Sequence, residues 1–471
     1  MPTEKNPSGQ NLLSSYGECL ATYSGEGALT LEDTRTVSCT FEAGQLKNGS
    51  VFLLCNFPEH DPFLPHMPVQ RFDGTTPQGF HISIEDNIVS TNYLPDLLPD
   101  QSGTPAAYAV LRQMTVQKAE GAQVQSVRIG ITNFFCDRHV PLRLEHGANV
   151  IELSIEQVAG YFKKMRRLRT LKGIDVTCEV IGDVPVGGSV EQLKDAVNDL
   201  CYLLSLAQRT TIQWVYYDYY DESDNCLSST FCSRVTKAYT PVPLIHPQHD
   251  NETKKFIEEA YRAYVIRNEP YQLHWLIDAY VDGTAEHDYL ELRGIKLAVI
   301  MEALKDVFIK LPKEVLDMPL DLWSYEYILK SATFESLTPK LTQAICDLLT
   351  SEGIKADDQK AICGKIGELN RRSFRFVLKA FLKHIGLTIS SKDLNLFICC
   401  RNSLVHTGRF YHETATPEDC KKCKPLPSKT HEFLFLVHTL DKIFLKLLGY
   451  DGPHIDWSSP GDPVPRQRLE N

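Results

Sequence analysis

Arg401, Asn402 and His406 are the residues of this chain whose types and spacing best suit chemistry on a phosphodiester. Cutting such a backbone without metal requires a group that moves a proton at the ribose 2'-hydroxyl or at the leaving oxygen. Histidine suits both directions of transfer near neutrality. It also requires positive charge at the strained phosphate, and arginine offers a planar, permanently charged fork matched to phosphate oxygens. On an ideal helix Asn402 and His406, four apart, share a face, whereas Arg401 and His406, five apart, are turned by about 140°. Asn402 is thus placed to hold the histidine ring or to touch phosphate, and Arg401 must reach around.

Spacing alone is weak evidence. Arg267, Asn268 and His274 repeat a comparable pattern, but Pro270 interrupts it and marks it as a decoy. A helix-terminal ion pair for Arg401 and a hydrogen-bonded histidine at 406 are the plain alternatives. Context shifts the balance. In Cys399–Phe410 an apolar helix suddenly presents Arg, Asn and His before Thr407-Gly408 ends it, with Arg409 just beyond. Upstream, Arg371, Arg375, Lys379 and Lys383 recur every fourth residue, Arg372 adds charge, and Glu368 is the sole acid between Lys360 and Lys383. Solvated faces usually mix signs, so a one-signed stripe points to a polyanion.

The elements that must position these residues are helical. Apolar spacing predicts helices over Tyr289–Phe308, Leu337–Leu349, Lys360–Ile385, Asp393–Val405 and Phe433–Leu448. The earlier chain reads differently. Short period-two runs at 29–41, 51–55, 79–84, 124–135 and 150–155 predict strands, with Asn48-Gly49 a turn between two of them. Proline-rich pieces at 58–68 and 95–105 predict loops. Ser189 with Gln192 predicts a capped helix over 189–217 that leaves the β region, and Tyr216–Tyr220 is expected to cover an interdomain seam rather than to stack bases. The fold class is therefore α+β and multidomain, with an N-terminal β-rich, sandwich-like domain and an all-α C-terminal domain. The expected division is a flexible 1–14, a β-rich domain 15–188, a linking helix and connector 189–251, a helical domain 252–450 and a loose tail 451–471.

With 471 residues the chain suits two or three domains. No apolar run approaches a membrane span and the first ten residues do not read as a secretory signal, so a cytoplasmic protein is expected. The 14 cysteines are sparse, and a disulfide scaffold is not expected in a reducing compartment. The net charge of −11 argues against a surface coated in nucleic acid but leaves room for a local basic groove. Cys420 and Cys423 form a Cys-x2-Cys half-site that His412 and His431 would complete as a structural zinc site, against the plain reading of two loop cysteines. A metal-dependent hydrolase finds little support, since no His-Glu-x-x-His string or comparable carboxylate cluster occurs.

The stretch Arg401-Asn402-Ser403-Leu404-Val405-His406-Thr407-Gly408, Tyr289-Leu290-Glu291-Leu292-Arg293, Met301-Glu302-Ala303-Leu304 and Leu447-Leu448-Gly449-Tyr450 together resemble the HEPN superfamily, particularly its ApeA-like branch in phage-defence proteins. The likeness covers roughly 254–450, and the β-rich part is more loosely similar to the domain that accompanies ApeA-like helical domains. The resemblance implies a metal-independent endoribonuclease, with Arg401, Asn402 and His406 as its motif and Glu302, or less so Glu291, as an acid near the cleft. It implies attack by the 2'-hydroxyl, leaving a 2',3'-cyclic phosphate and a 5'-hydroxyl. It also implies a homodimer or higher homo-oligomer with a composite site, no cofactor for catalysis, and a phage-derived or host trigger. Some members only bind, so a non-catalytic RNA- or protein-binding module with a regulatory β domain is the alternative.

Overall fold

The protein is described here from a computed structural model that covers residues 18–32, 34–57, 69–85, 88–93, 106–119, 121–136, 139–147, 149–170, 173–185, 188–234, 242–247, 251–286, 288–312, 325–457 and 464–467. The proline-rich loops expected at 58–68 and 95–105, the N-terminal 1–14, and residues 458–463 and 468–471 of the expected tail lie outside these residues. The chain forms two compact units. The first holds the described residues up to Val265 with Ala285 and Glu286, and the second holds Ile266–Thr284 and the described residues from Asp288 onward. No described helix is long and apolar enough to cross a membrane.

In the first unit the strands are β1 (Cys19–Leu31), β2 (Thr36–Leu46), β3 (Val51–Asn56), β4 (Val69–Thr75), β5 (His81–Glu85), β6 (Ile88–Tyr93), β7 (Ala106–Leu111), β8 (Gln113–Gln117), β9 (Ser126–Thr132), β10 (His139–His146) and β11 (Asn149–Gln157). Helix α1 (Tyr161–Thr170), β12 (Val176–Asp183), α2 (Val190–Gln208), β13 (Trp214–Tyr220) and β14 (Cys226–Cys232) follow. One antiparallel sheet joins them in the order β10-β11-β12-β9-β13-β14-β8-β5-β4-β1-β2-β3-β7-β6. Alternation builds the core: Ile82 and Ile84 of β5 point inward while His81 and Glu85 face solvent. Strands distant in this order share one core, with Val51 of β3, Phe72 of β4 and Phe231 of β14 in a single cluster. The sheet therefore folds on itself, and buried Gln45 of β2 donates to the Cys232 carbonyl at 2.8 Å across the fold. Gly49, at φ 98°, makes the turn between β2 and β3, a conformation that favours glycine.

Ser189 and Gln192 cap α2 reciprocally, but the helix ends at Arg209, which adopts a left-handed conformation. The helix expected over 189–217 is thus shorter, and its last stretch is strand β13, paired to β9 and β14. Tyr216–Tyr220 lies inside the sheet, where Tyr217 is buried and Tyr216 Oη donates to Glu179 at 2.5 Å. Strand pairing outweighed the helical spacing there because β-branched and aromatic side chains fit a pleated surface. Residues 189–251, set apart above as a connector, contribute two inner strands of the sheet.

In the second unit, α3 (Glu252–Tyr271), shared with the first, leads to α4 (Leu273–Thr284), α5 (Leu290–Lys310), α6 (Ser331–Ser351) and α7 (Ala356–Cys363). A 3-10 turn (Ile366–Asn370), α8 (Phe374–His384), α9 (Ser391–Thr407), α10 (Tyr411–Thr414), α11 (Pro417–Lys422) and α12 (Lys429–Leu447) complete the helices, and a small hairpin, β15 (His454–Asp456) with β16 (Val464–Gln467), follows. The core is an α5, α9 and α12 packing: Leu297, Met301, Leu304 and Phe308 recur on one face of α5, and Leu394, Phe397, Cys400 and Leu404 on one face of α9. The single helix expected over Lys360–Ile385 is broken in three. Buried Asn370 bonds the backbone N–H and carbonyl of Leu329, at 2.7 and 3.1 Å, which ends the 3-10 turn. Ser373 then restarts the helix by accepting from the Phe376 N–H at 3.3 Å.

Candidate functional site

Helices α5, α8 and α9 converge on Arg401. Its guanidinium pairs with the Glu302 carboxylate of α5, donates from Nη1 to Asn402 Oδ1 at 2.6 Å, and lies over the Phe374 ring of α8 with Cζ 4.7 Å from the centroid. Its side chain is 13% exposed, so these partners compensate most of the cost of burying the charge. Glu302 is also within 3.1 Å of Lys305, which lies 2.9 Å from Asp306, so a charge-alternating row runs from Arg401 of α9 onto these three residues of α5. Burial works against the Lys305 charge, but its bonds to Asp306 and Glu302 outweigh that and hold its pKa above the ordinary lysine value. Glu302, the acid expected near the cleft, and Arg401 are thus in direct contact. Glu291, the other acid, is elsewhere and bonds Lys429 at 2.6 Å.

His406 sits in the last turn of α9, exposed, about one and a half turns beyond Arg401. The backbone around it is fixed: Gly408 at φ 70° terminates the helix and donates its N–H to the Leu404 carbonyl at 3.0 Å. Thr407 Oγ1 donates to the Ser403 carbonyl at 2.8 Å, and Ser403 Oγ donates to the Arg409 carbonyl at 2.9 Å. The α9 end also seats on α5 because Gly294 has no side chain. A Cβ there would meet Phe410 Cζ at 2.9 Å and Leu404 Cδ2 at 3.0 Å. Asn402 is exposed and held at Arg401 rather than at the histidine ring.

Not every basic residue falls on one stripe. Arg375, Lys379 and Lys383 do, as exposed residues of α8. Arg371 precedes the helix, bridged to Tyr327, and Arg372 is spent within the fold, with Nε on the Tyr327 carbonyl at 3.0 Å and its guanidinium over Phe376. The stripe is therefore three residues on a helix that begins under Arg401, since Phe374 is its first residue. Arg409 is exposed just past the Gly408 turn.

The decoy pattern has its own account. Arg267 donates to the Leu447 carbonyl at the end of α12, and the backbone N–H of His274 bonds Asn268 Oδ1 at 2.9 Å. The residues named for zinc have other partners in the structure. His412 Nδ1 is 2.8 Å from the Leu426 carbonyl, His431 Nδ1 is 2.8 Å from Ser428 Oγ, and Cys420 is exposed. Among the described residues no group of three His, Cys, Asp or Glu side chains is placed to hold a metal ion.

Sequence reasoning missed Phe374 and Lys305 as members of this site. Phe374 reads only as a core position of α8, and its place over Arg401 follows from how α8 meets α9. No protein-family model, curated protein or solved structure matches the chain at a significant level.

Proposed function

We propose that the helical unit is a metal-independent endoribonuclease of an antiphage defence system, acting on RNA at a composite site built from two copies of the chain. The observation that carries this reading is the pairing on one helix of a braced arginine with an exposed histidine: Arg401 held by Glu302, Asn402 and Phe374, and His406 open to solvent. In this reading His406 moves the proton of the reaction. The ribose 2'-hydroxyl attacks phosphorus, the P–O5' bond breaks, and a 2',3'-cyclic phosphate and a 5'-hydroxyl result. Arg401 offsets the charge gathering on the phosphate, using guanidinium hydrogens beyond those on Glu302 and Asn402. Arg375, Lys379, Lys383 and Arg409 supply the field that draws in the polyanion. The resemblance to HEPN domains supports the same chemistry and implies a phage-derived or host trigger.

One observation favours the alternative, a non-catalytic RNA- or protein-binding module. The Glu302–Arg401 ion pair already gives the guanidinium an anionic partner inside the protein. The test is incubation of the purified chain with a mixed RNA pool in chelator, beside His406→Ala. The proposal expects cleavage by the wild type and a loss of about 10²- to 10⁴-fold in the variant. Equal cutting by both removes His406 from the mechanism. RNA binding by both without cutting, retained across chelator and added phage extract, supports the binding module.

A further inference from the structure

Helices α6 and α7 form an arm in which neither helix contains a buried residue. Leu337, Leu341 and Leu348 of α6 and Ile362 of α7 are all more than one-third exposed. Pro339 sits inside α6, where it removes a backbone donor. Helices of this kind draw little stability from packing, and isolated helices are marginal in water. Besides the Thr350 hydroxyl of α6 on Gln359 of α7, a pair of thiols joins the two. Cys346 Sγ of α6 and Cys363 Sγ of α7 are 2.7 Å apart. That is well inside the separation of about 3.5–4.0 Å at which even non-bonded carbon atoms rest. Both cysteines are half-buried, so reagents in solution reach them. Cys136 and Cys178 make an instructive contrast: their sulfurs are 3.4 Å apart, but both residues are buried in the β unit.

We infer that Cys346 and Cys363 are a redox modification site, forming a reversible disulfide that clasps α6 to α7. The oxidant is a low-molecular-weight disulfide such as oxidised glutathione. The Cys346 thiolate attacks one sulfur of that disulfide, whose S–S bond breaks and releases one small thiolate. The Cys363 thiolate then attacks Cys346 Sγ, the protein S–S bond forms, and the second small thiol leaves. Two protein thiols lose two electrons and two protons, and one small disulfide becomes two thiols. The clasp is not the static scaffold that a reducing compartment disfavours. It forms when the small-disulfide pool rises and reverses when that pool falls. Its effect is to replace the missing core of the arm with a covalent tie, because cross-linking restricts the unfolded chain.

The experiment uses the full chain, reduced and then equilibrated in buffers of graded oxidised-to-reduced glutathione, with free thiols alkylated before tryptic mapping. Cleavage after Lys340, Lys355, Lys360 and Lys365 places Cys346 and Cys363 on separate peptides, residues 341–355 and 361–365. The expected result is that these two peptides become joined as the ratio rises and separate again on return to reduced glutathione. In Cys363→Ser the 341–355 peptide carries glutathione instead, which shows that the partner thiol resolves the mixed disulfide. The inference is overturned if both peptides remain singly alkylated, or each keep glutathione, at a ratio where exposed Cys420 is fully glutathionylated. It is equally overturned if either cysteine joins a different partner.

Discussion

Helices α5 and α6 are each 21 residues long and each carries leucines at helical spacing, yet α5 buries seven residues and α6 none. The difference lies in what meets them. Leu297, Met301, Leu304 and Phe308 of α5 belong to a helix packed on α4, α8, α9 and α12, while Leu337, Leu341 and Leu348 of α6 belong to one whose main neighbours among the described residues are α7 and the 3-10 turn at its edge. Amphipathic spacing states that a face is available for burial and leaves open whether a partner arrives. The comparison also shows where a site is built. Arg401, Glu302 and Phe374 stand on helices whose backbones are fixed by core packing, which is what a pre-organised charge requires. The α6–α7 arm has no such support and is suited to responding rather than to holding geometry.

The comparison breaks most visibly in stability. Phe444 of α12 is fully buried with its ring centroid 5.0 Å from that of Tyr280, whereas Leu348 of α6 is 62% exposed. Phe444→Ala is expected to lower unfolding free energy by about 3–5 kcal/mol, and Leu348→Ala to stay within about 0.5 kcal/mol. Urea denaturation of the two variants decides it, and similar losses would mean that the arm is packed in solution.

A second measurement uses acid–base linkage. Glu432 of α12 is fully buried, and burial pushes its pKa from 4.5 up to about 7, with backbone hydrogen bonds from His412 and Tyr411 opposing only part of the shift. Because the folded value is the higher one, this residue's contribution is fully present below pH 4.5 and is lost as pH rises to about 7. The loss is on the order of 3 kcal/mol. Glu432→Gln should flatten that slope in denaturant midpoints taken between pH 5 and 8. An unchanged slope would place the titrating group elsewhere.

Gly294→Ala tests the seat of α9 on α5. The new methyl meets Phe410 and Leu404 at 3.0 Å or less, and a cost of about 1–3 kcal/mol is expected in thermal unfolding. Because the same contact positions the end of α9, RNA cleavage should fall further than stability accounts for. A variant that is destabilised but fully active would separate the helix seat from the site. The smallest effect belongs to the basic face. Lys379→Ala should leave folding untouched and reduce the slope of log affinity for RNA against log salt by about 1. A slope that stays the same would move RNA away from α8.

Much of the scaffold was readable before the structure. Ser189 and Gln192 announced the start of α2 through a capping box that needs only local geometry. The alternation around Ile82 and Ile84, the Asn48-Gly49 turn and the apolar face of α5 likewise depend on neighbours in sequence. Reading failed where two remote segments compete or meet. Trp214–Tyr220 had helical neighbours in sequence, but its backbone found β9 and β14 instead. Asn370 broke a long apparent helix because its amide reached Leu329, 41 residues away.

The site divides in the same way. The sequence by itself determined that Arg401, Asn402 and His406 share a helix, that Gly408 ends it, and that cations cluster nearby, because residue type and helical period set these locally. Only the tertiary structure decided that Glu302 and Phe374 embrace Arg401, that Arg371 and Arg372 leave the stripe, that His412 bonds the Leu426 carbonyl, and that Cys346 meets Cys363. Each depends on side chains far apart in the chain arriving within a few ångströms. Such contacts are set by how whole faces pack, and no short window of sequence encodes them.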